Sequence, residues 1–158
     1  MKIIFLDIDG VLNYQASEAV HRGGIGISRD NVEVLRYIVE QTGAEIVLIS
    51  TWKKWWEKSN NEHPSGVYID KMLGESGIKV YDKTPGSVVE RGRGIDEYLK
   101  THKVDSWIVI DDEIFPDFEQ FGILPRLVKP SFYRAGLTML HAKQAVELLN
   151  NVTSLKNN

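Results

Sequence analysis

The stretch KIIFLDIDGVLN, residues 2–13, places two carboxylates and a glycine directly after a run of apolar side chains. Such a run is typical of a buried strand, so Asp7 and Asp9 stand where that strand would end. Residues two apart in an extended chain point to the same side, so both carboxylates can converge while Ile8 turns into the core. Gly10 then permits a sharp departure of the chain. Two carboxylates a few ångströms apart repel by about 4 kcal/mol at an intermediate dielectric, which predicts a compensating cation.

Short apolar runs recur along the chain and alternate with helical patterns. Their centres are rich in Ile and Val and show almost no alternation of apolar and polar residues, which is typical of strands buried on both faces of a parallel sheet. The runs cover residues 2–6, 45–49, 79–81, 106–110 and 126–128. They predict an α/β fold with three layers, in which a mostly parallel sheet lies between helices.

Three helical patterns accompany these runs. Between the first two runs, apolar residues recur at helical spacing, with Asp30 and Glu33 as a capping box and Gly43 as the C-cap. Two further helices fit residues 94–102 and 138–150. No repeat or linker interrupts the pattern, so residues 1–150 are predicted to form a single domain, and the polar tail 151–158 is expected to fray.

Composition restricts the class of protein. The chain has 158 residues, of which 42% are hydrophobic, enough for one domain with a sizeable core. It contains no cysteine, which excludes disulfides and thiolate chemistry. The net charge of -3 provides no overall basic field for nucleic acid. The apolar run after Lys2 is too short for a signal sequence or a membrane span, so we expect a cytoplasmic protein with no membrane partner.

Polar residues follow three of the predicted strands. In chain order these residues are Asp7 and Asp9, then Ser50 and Thr51, then Asp111 and Asp112. The carboxyl ends of the strands form the functional crevice of an open parallel sheet. Four carboxylates converging there require a cation, and oxygen ligands without a nearby His or Cys favour Mg²⁺.

These motifs resemble those of the haloacid dehalogenase (HAD) superfamily. FLDIDGVLN (5–13) is similar to its DxDG motif, IVLIST (46–51) to its second motif, and WIVIDDE (107–113) to the double-aspartate form of its fourth motif. RGRGIDEYLKTH (91–102) lies where the superfamily supplies a third-motif Lys or Arg. Together with STW, RG and a late GLT, the motifs look most like the compact HAD domains of phage and bacterial RNA-repair proteins.

The resemblance implies a Mg²⁺-dependent phosphatase that works through an aspartyl-phosphate. Asp7 would be the nucleophile, and Asp9 would be the general acid and later the general base. Ser50 would donate a hydrogen bond to the phosphoryl group, and Arg91 would supply positive charge in the transition state. Arg93 is a close rival to Arg91, because the spacing alone does not separate them.

The resemblance also implies the metal ligands. These would be the Asp7 carboxylate, the Asp9 backbone carbonyl and Asp112, with Asp111 supporting the metal shell through water.

The segment STWKKWWEK (50–58) predicts contacts to the rest of the substrate. Aromatic residues interleaved with cations can stack a base and hold a backbone phosphate, so Thr51, Trp52 and Lys53 are expected to bind substrate, together with Arg93. Where similar proteins often carry Arg, this chain has Lys53, which lacks bidentate phosphate geometry. Packing of the tryptophans in the core is an equal alternative.

The segments 13–30 and 52–86 are too short for a folded cap domain, so the crevice is expected to be open or to borrow a lid in a homo-oligomer. HRGGIGISR (21–29) is either a mobile flap or a plain surface loop, and Lys129 is interpreted as a loop residue after an edge strand. The leading function is a phosphomonoesterase acting on a nucleotide or a polynucleotide-end phosphate. The alternative is a catalytically weak, metal-dependent module that binds a phosphorylated partner.

Overall fold

A computed structural model describes residues 1–151 of the chain. The strands are β1 (Lys2–Leu6), β2 (Val20–His21), β3 (Gly24–Ile25), β4 (Glu45–Leu48), β5 (Val80–Lys83), β6 (Ser106–Ile110) and β7 (Leu127–Val128). The helices are α1 (Arg29–Thr42), α2 (Pro64–Gly74), α3 (Arg91–Thr101) and α4 (Met139–Asn150). Short 3₁₀ turns cover Thr51–Trp55 and Leu124–Arg126. Apart from Asn151, the expected polar tail lies outside the described residues.

The main sheet has five parallel strands in the order β5-β4-β1-β6-β7. Its central strand β1 pairs with β4 on one side and with β6 on the other, so the strand that carries the first two acids lies in the middle. The predicted α/β fold with a parallel sheet is confirmed. From β1 the chain first adds β4 and β5 on one side and then adds β6 and β7 on the other. This change of side places a crevice at the carboxyl end of β1.

The two faces of the sheet bury separate cores, which gives three layers. Alternate residues of β1 point to opposite faces: Ile4 and Leu6 pack with residues of α1, α2 and α4, whereas Ile3 and Phe5 pack with residues of α3. Residues Phe118 and Ile123, which follow β6, complete the second core. Helix α3 therefore covers the face of β1 to which the odd-numbered residues point.

Several element boundaries differ from the sequence prediction. Strand β5 begins and ends later than predicted, and α3 begins at Arg91 rather than at residue 94. Helix α1 begins directly after Ser28, so Asp30 and Glu33 do not form the expected capping box. The predicted C-cap is confirmed, because Gly43 has φ +70° and donates its N–H to the carbonyl of Val39.

No folded cap domain lies over the sheet within residues 1–151. Between β1 and α1 the chain forms only the small hairpin β2–β3, and between β4 and β5 it forms one 3₁₀ turn and α2. Across the same residues, no helix combines the length and the apolar character needed to cross a membrane.

Candidate active site

A cleft of about 1110 Å³ lies at the carboxyl ends of the parallel strands. Loops that follow β1, β4, β5, β6 and β7 all contribute to its lining, as expected for the switch point of an open α/β sheet. Of the predicted site residues, those that line it are Asp7, Asp9, Ser50, Thr51, Trp52, Arg91 and Asp112.

Strand alternation brings Asp7, Asp111 and Arg91 together. Asp7 continues the Ile3 and Phe5 side of β1, and Asp111 continues the same side of β6, so both point towards α3. Arg91 is the first residue of α3, and its Nη1 lies 3.2 Å from Oδ1 of Asp7 and 2.8 Å from Oδ2 of Asp111. One guanidinium therefore pairs with two buried carboxylates.

The side chain of Arg91 is held in place by further contacts. Its Nε donates to the carbonyl of Val88 at 3.1 Å, and the guanidinium lies 4.1 Å from the ring centroid of Phe115. Arg93, the rival candidate, does not line the cleft: it is exposed and forms an ion pair with Glu90 at 2.8 Å. Two residues further along a helix the side chain points to the opposite side, which explains why only Arg91 reaches the acids.

Asp112 completes a cluster of three carboxylates. Asp7, Asp111 and Asp112 each offer an oxygen, and these three oxygens lie within 4.8 Å of one another. Asp112 packs directly against Gly10, where a Cβ atom would lie only 2.1 Å from Oδ2 of Asp112. Gly10 also has φ +80°, a conformation that side chains rarely adopt. The glycine of the first motif thus makes room for the third carboxylate.

The electrostatics of this cluster favour a bound cation. Burial, and next the charge of Asp111, raises the pKa of Asp7 to about 7, although Arg91 opposes this shift. Burial raises the pKa of Asp111 to about 6, and burial with the neighbouring Asp7 raises that of Asp112 to about 7. Arg91 alone does not compensate three crowded acids. An oxygen-only cluster of this kind fits a hard divalent ion such as Mg²⁺.

Asp9 lies outside this cluster and has its own partners. Its Oδ1 accepts a hydrogen bond from Nδ2 of Asn13 at 2.9 Å, and its Oδ2 accepts one from Nε1 of Trp52 at 3.0 Å. Asn13 is fully buried and fixed in turn, because its Oδ1 accepts from the backbone N–H of Gly10 at 2.8 Å. The carboxyl group of Asp9 is exposed at the cleft, and these two neutral donors fix its orientation.

The turn after β4 brings Ser50 and Thr51 to the cleft. Ser50 is almost fully buried, and its Oγ accepts from the backbone N–H of Trp52 at 3.1 Å, which fixes the start of the 3₁₀ turn. The acceptor role leaves the Ser50 hydroxyl proton free to be donated.

Lys53 lies elsewhere than expected. Its side chain is buried, and its Nζ donates to the carbonyl of Thr84 at 3.0 Å, to Oγ1 of Thr84 at 3.1 Å and to the carbonyl of Pro85 at 3.4 Å. Lys53 does not line the cleft and instead connects the turn after β4 with the loop that leads to Arg91. Burial, together with Lys83 and Arg91, lowers the pKa of Lys53 to about 8.

The tryptophans divide between core and cleft. Trp52 and Trp56 are buried, and Nε1 of Trp56 donates to Asp70 at 2.9 Å. Trp55 is half-buried and lines the cleft, where its ring stacks on His63 with centroids 5.6 Å apart. The core alternative therefore holds for Trp56, whereas Trp52 packs in the core and also supports Asp9.

The hairpin β2–β3 forms one wall of the cleft. His21 stacks on Tyr68 of α2 with ring centroids 4.0 Å apart, and its Nε2 lies 3.1 Å from Oγ of Ser65. The hydroxyl of Tyr68 accepts from the backbone N–H of Ile27 at 2.9 Å. From here on, the name flap is used for residues 20–25 only. The contacts of His21 attach this segment to α2.

Three residues without a predicted role also lie at the site: Asn13, Phe115 and Lys129. Asn13 belongs to the first motif, and its four-residue spacing from Asp9 is a usable signal for an amide that orients the acid. Lys129 directly follows β7, so the rule that selects residues at carboxyl ends of strands also selects it. Phe115 has no comparable signal, because its contact with Arg91 depends on the path of an irregular loop.

The fold and this site together define the chain as a HAD-superfamily domain: a central β1 ending in two acids, a serine after β4, a cation at the start of α3 and two acids after β6. The family described as "HAD domain in Swiss Army Knife RNA repair proteins" matches residues 3–142. The chain belongs to this family. No curated protein matches it.

Proposed function

We propose that this chain is a Mg²⁺-dependent phosphomonoesterase that acts through an aspartyl-phosphate on Asp7. The observation that carries the proposal is the buried Asp7 carboxylate, 3.2 Å from Nη1 of Arg91 and clustered with Asp111 and Asp112. A nucleophilic carboxylate beside a fixed guanidinium and an oxygen-rich cation site is the arrangement that phosphoryl transfer to an acid requires.

Asp7 and Asp112 would hold the ion, together with the backbone carbonyl of Asp9, and Asp111 would support the metal shell through water. When bound, Mg²⁺ would neutralise charge on the phosphoryl oxygens and keep the Asp7 carboxyl ionised at neutral pH.

In the first half-reaction, an Asp7 oxygen bonds to phosphorus while the bond between phosphorus and the ester oxygen breaks. Asp9 gives its proton to the departing oxygen, which leaves as an alcohol. The ionised Asp9 then takes a proton from water, the resulting hydroxide attacks phosphorus, and the Asp7 carboxylate and inorganic phosphate are released. Asn13 and Trp52 each occupy one lone pair on Asp9, so a further lone pair on either oxygen can carry this proton.

Arg91 and Ser50 would stabilise the phosphoryl group during both steps. Arg91 places positive charge beside Asp7, where the transferring group would be, and the Ser50 hydroxyl can donate a hydrogen bond from the neighbouring strand end. Thr51 lines the cleft beside Ser50 and would contact the substrate. We further propose a nucleotide or polynucleotide-end phosphate as the substrate, which the family's description and the open, aromatic-lined cleft support.

The test is release of phosphate from p-nitrophenyl phosphate, with Mg²⁺ and with EDTA. Metal-dependent release that Asp7→Asn abolishes, in a variant with an unchanged melting curve, would support the proposal. Binding of phosphate esters without any release in the wild type would instead favour the alternative, a module that binds a phosphorylated partner.

A further inference from the structure

Two cations in the cleft have no acidic partner within residues 1–151. Arg22 stands at the tip of the flap and Lys129 directly follows β7; both are exposed, and both line the cleft that contains Asp7. Arg91, the third cation of the lining, is already paired with Asp7 and Asp111. Arg22 and Lys129 are therefore available for an anionic group other than the phosphoryl group at Asp7.

The loop that carries Lys129 also presents an aromatic face. Tyr133 lines the cleft with 78% of its surface exposed, and its ring contact is an edge-to-face one with Phe132 at 5.4 Å. Trp55 is less available, because His63 stacks on its ring and Nζ of Lys54 lies 4.6 Å from its centroid. Tyr133 is thus the better stacking surface in the cleft.

Both loops are anchored, so these side chains project from defined backbone positions. The flap is paired through Val20 with Ile25, and Arg22 at its turn has φ +51°. In the loop after β7, the carbonyl of Phe132 accepts a 2.8 Å hydrogen bond from the backbone N–H of Gln15. Since Gln15 belongs to the segment that leads into the flap, this hydrogen bond connects the two sides of the cleft.

We propose that Arg22, Lys129 and Tyr133 form a subsite for a single-stranded oligonucleotide. This subsite would bind the part of the strand that adjoins its phosphorylated terminal nucleotide. Arg22 and Lys129 would bind the adjoining phosphodiester, and Tyr133 would stack on a base. The volume of about 1110 Å³ exceeds the roughly 300–1,000 Å³ usual for small-molecule sites, which leaves space beyond the reacting phosphate. The inference rests on the proposed function and specifies its substrate: an oligonucleotide end is preferred over a mononucleotide.

Catalytic preference gives the first test. We would measure kcat/KM for 5′- and 3′-phosphorylated pentanucleotides, for the matching mononucleotides and for p-nitrophenyl phosphate. The variants are Tyr133→Ala, Lys129→Gln and Arg22→Asn, since Asn tolerates a positive φ. Lys143→Gln, an exposed change on α4, is the matched control. Tyr133→Ala should reduce the ratio of oligonucleotide to p-nitrophenyl phosphate kcat/KM by about 5- to 150-fold, the range of one lost base stack.

Binding to the Asp7→Asn protein gives the second test. Anisotropy of a labelled pentanucleotide should show log affinity falling with log salt concentration, with a slope of about −0.7 for each phosphate contact. Adding Arg22→Asn and Lys129→Gln together should reduce the magnitude of the slope by about 0.7, the contribution of the one phosphodiester that they share, whereas Lys143→Gln should not change it.

The outcomes separate the two proposals. If p-nitrophenyl phosphate is hydrolysed but oligonucleotides are not preferred, or if the subsite variants behave like Lys143→Gln, the subsite is overturned and the phosphatase stands. If no ester is hydrolysed while the salt slopes change as expected, the phosphatase fails and the subsite stands. Absence of oligonucleotide binding, in a folded protein, would overturn the subsite in either case.

Discussion

The indole Nε1 of Trp52 donates a 3.0 Å hydrogen bond to Oδ2 of Asp9. Trp52 is buried beneath the cleft, so this bond reaches from the core to the proposed acid–base group. Asn13 donates to the other oxygen of the same carboxyl group at 2.9 Å. These two neutral donors fix the orientation of the Asp9 carboxyl group and place no charge beside it.

Trp52→Phe should therefore slow the proposed reaction through Asp9. Loss of a hydrogen bond to a group that becomes charged costs about 1.5–3 kcal/mol, or roughly a 10- to 150-fold lower kcat/KM for alkyl phosphates. We use kcat/KM because it reports the first half-reaction, in which the leaving group departs. The loss should be smaller for p-nitrophenyl phosphate, whose leaving group needs no proton. Trp107→Phe, on β6, is the matched control for removal of an indole. Equal losses for both substrates would contradict a role through Asp9.

Mg²⁺ should stabilise the folded protein. At a metal concentration 100 times Kd, a ligand specific for the native state adds about 2.7 kcal/mol, which corresponds to an increase in Tm of roughly 5–10 °C for a chain of this length. Asp112→Asn should remove most of the increase, because Asp112 supplies one of the three clustered oxygens. Asp30→Asn, an exposed change on α1, should retain it. Calorimetry with added Mg²⁺ or EDTA measures both effects.

Gly10→Ala should disrupt the carboxylate cluster as well as strain the backbone. The added Cβ would lie 2.1 Å from Oδ2 of Asp112, at a residue with φ +80°. Gly43→Ala is the control for backbone strain, since Gly43 has φ +70° and a Cβ added there would meet no atom within 4 Å. The backbone conformation should cost each variant about 1–2 kcal/mol of unfolding free energy in urea titrations, and Gly10→Ala should lose more because of the contact with Asp112. Only Gly10→Ala should also abolish the Mg²⁺-dependent increase in Tm; a normal increase would count against this packing.

Because of Lys53, the unfolding free energy should change with pH in the alkaline range. Its pKa is lowered to about 8 in the folded protein from 10.5, so the unfolded chain binds more protons between these values. The unfolding free energy of the wild type, relative to Lys53→Met, should therefore rise as pH increases from about 8 to 10.5. Below pH 8 the difference should be nearly constant. Urea titrations of both proteins in EDTA measure it, and a flat difference across the alkaline window would disprove the shift.

The sequence by itself determined the architecture of this protein. Runs of Ile and Val with almost no alternation require burial on both faces, which fixes a parallel sheet and places the residues that follow each strand at one edge. Asp7, Ser50 and Asp112 could be selected in this way, because the end of each apolar run can be recognised from the local sequence. Boundaries were harder: α3 begins at Arg91, where the backbone N–H groups of Gly92 and Arg93 donate to the carboxylate of the distant Asp117.

Only the tertiary structure decided which side chains meet. Arg91 and Arg93 are indistinguishable by spacing, yet packing of α3 on the Phe5 face of β1 directs Arg91 to Asp7 and leaves Arg93 in solvent. Lys53 follows the proposed phosphate-binding serine in sequence but is drawn to the carbonyls of Thr84 and Pro85. The physical reason is that such contacts join residues distant in the chain, so they depend on how helices and loops pack rather than on any local pattern.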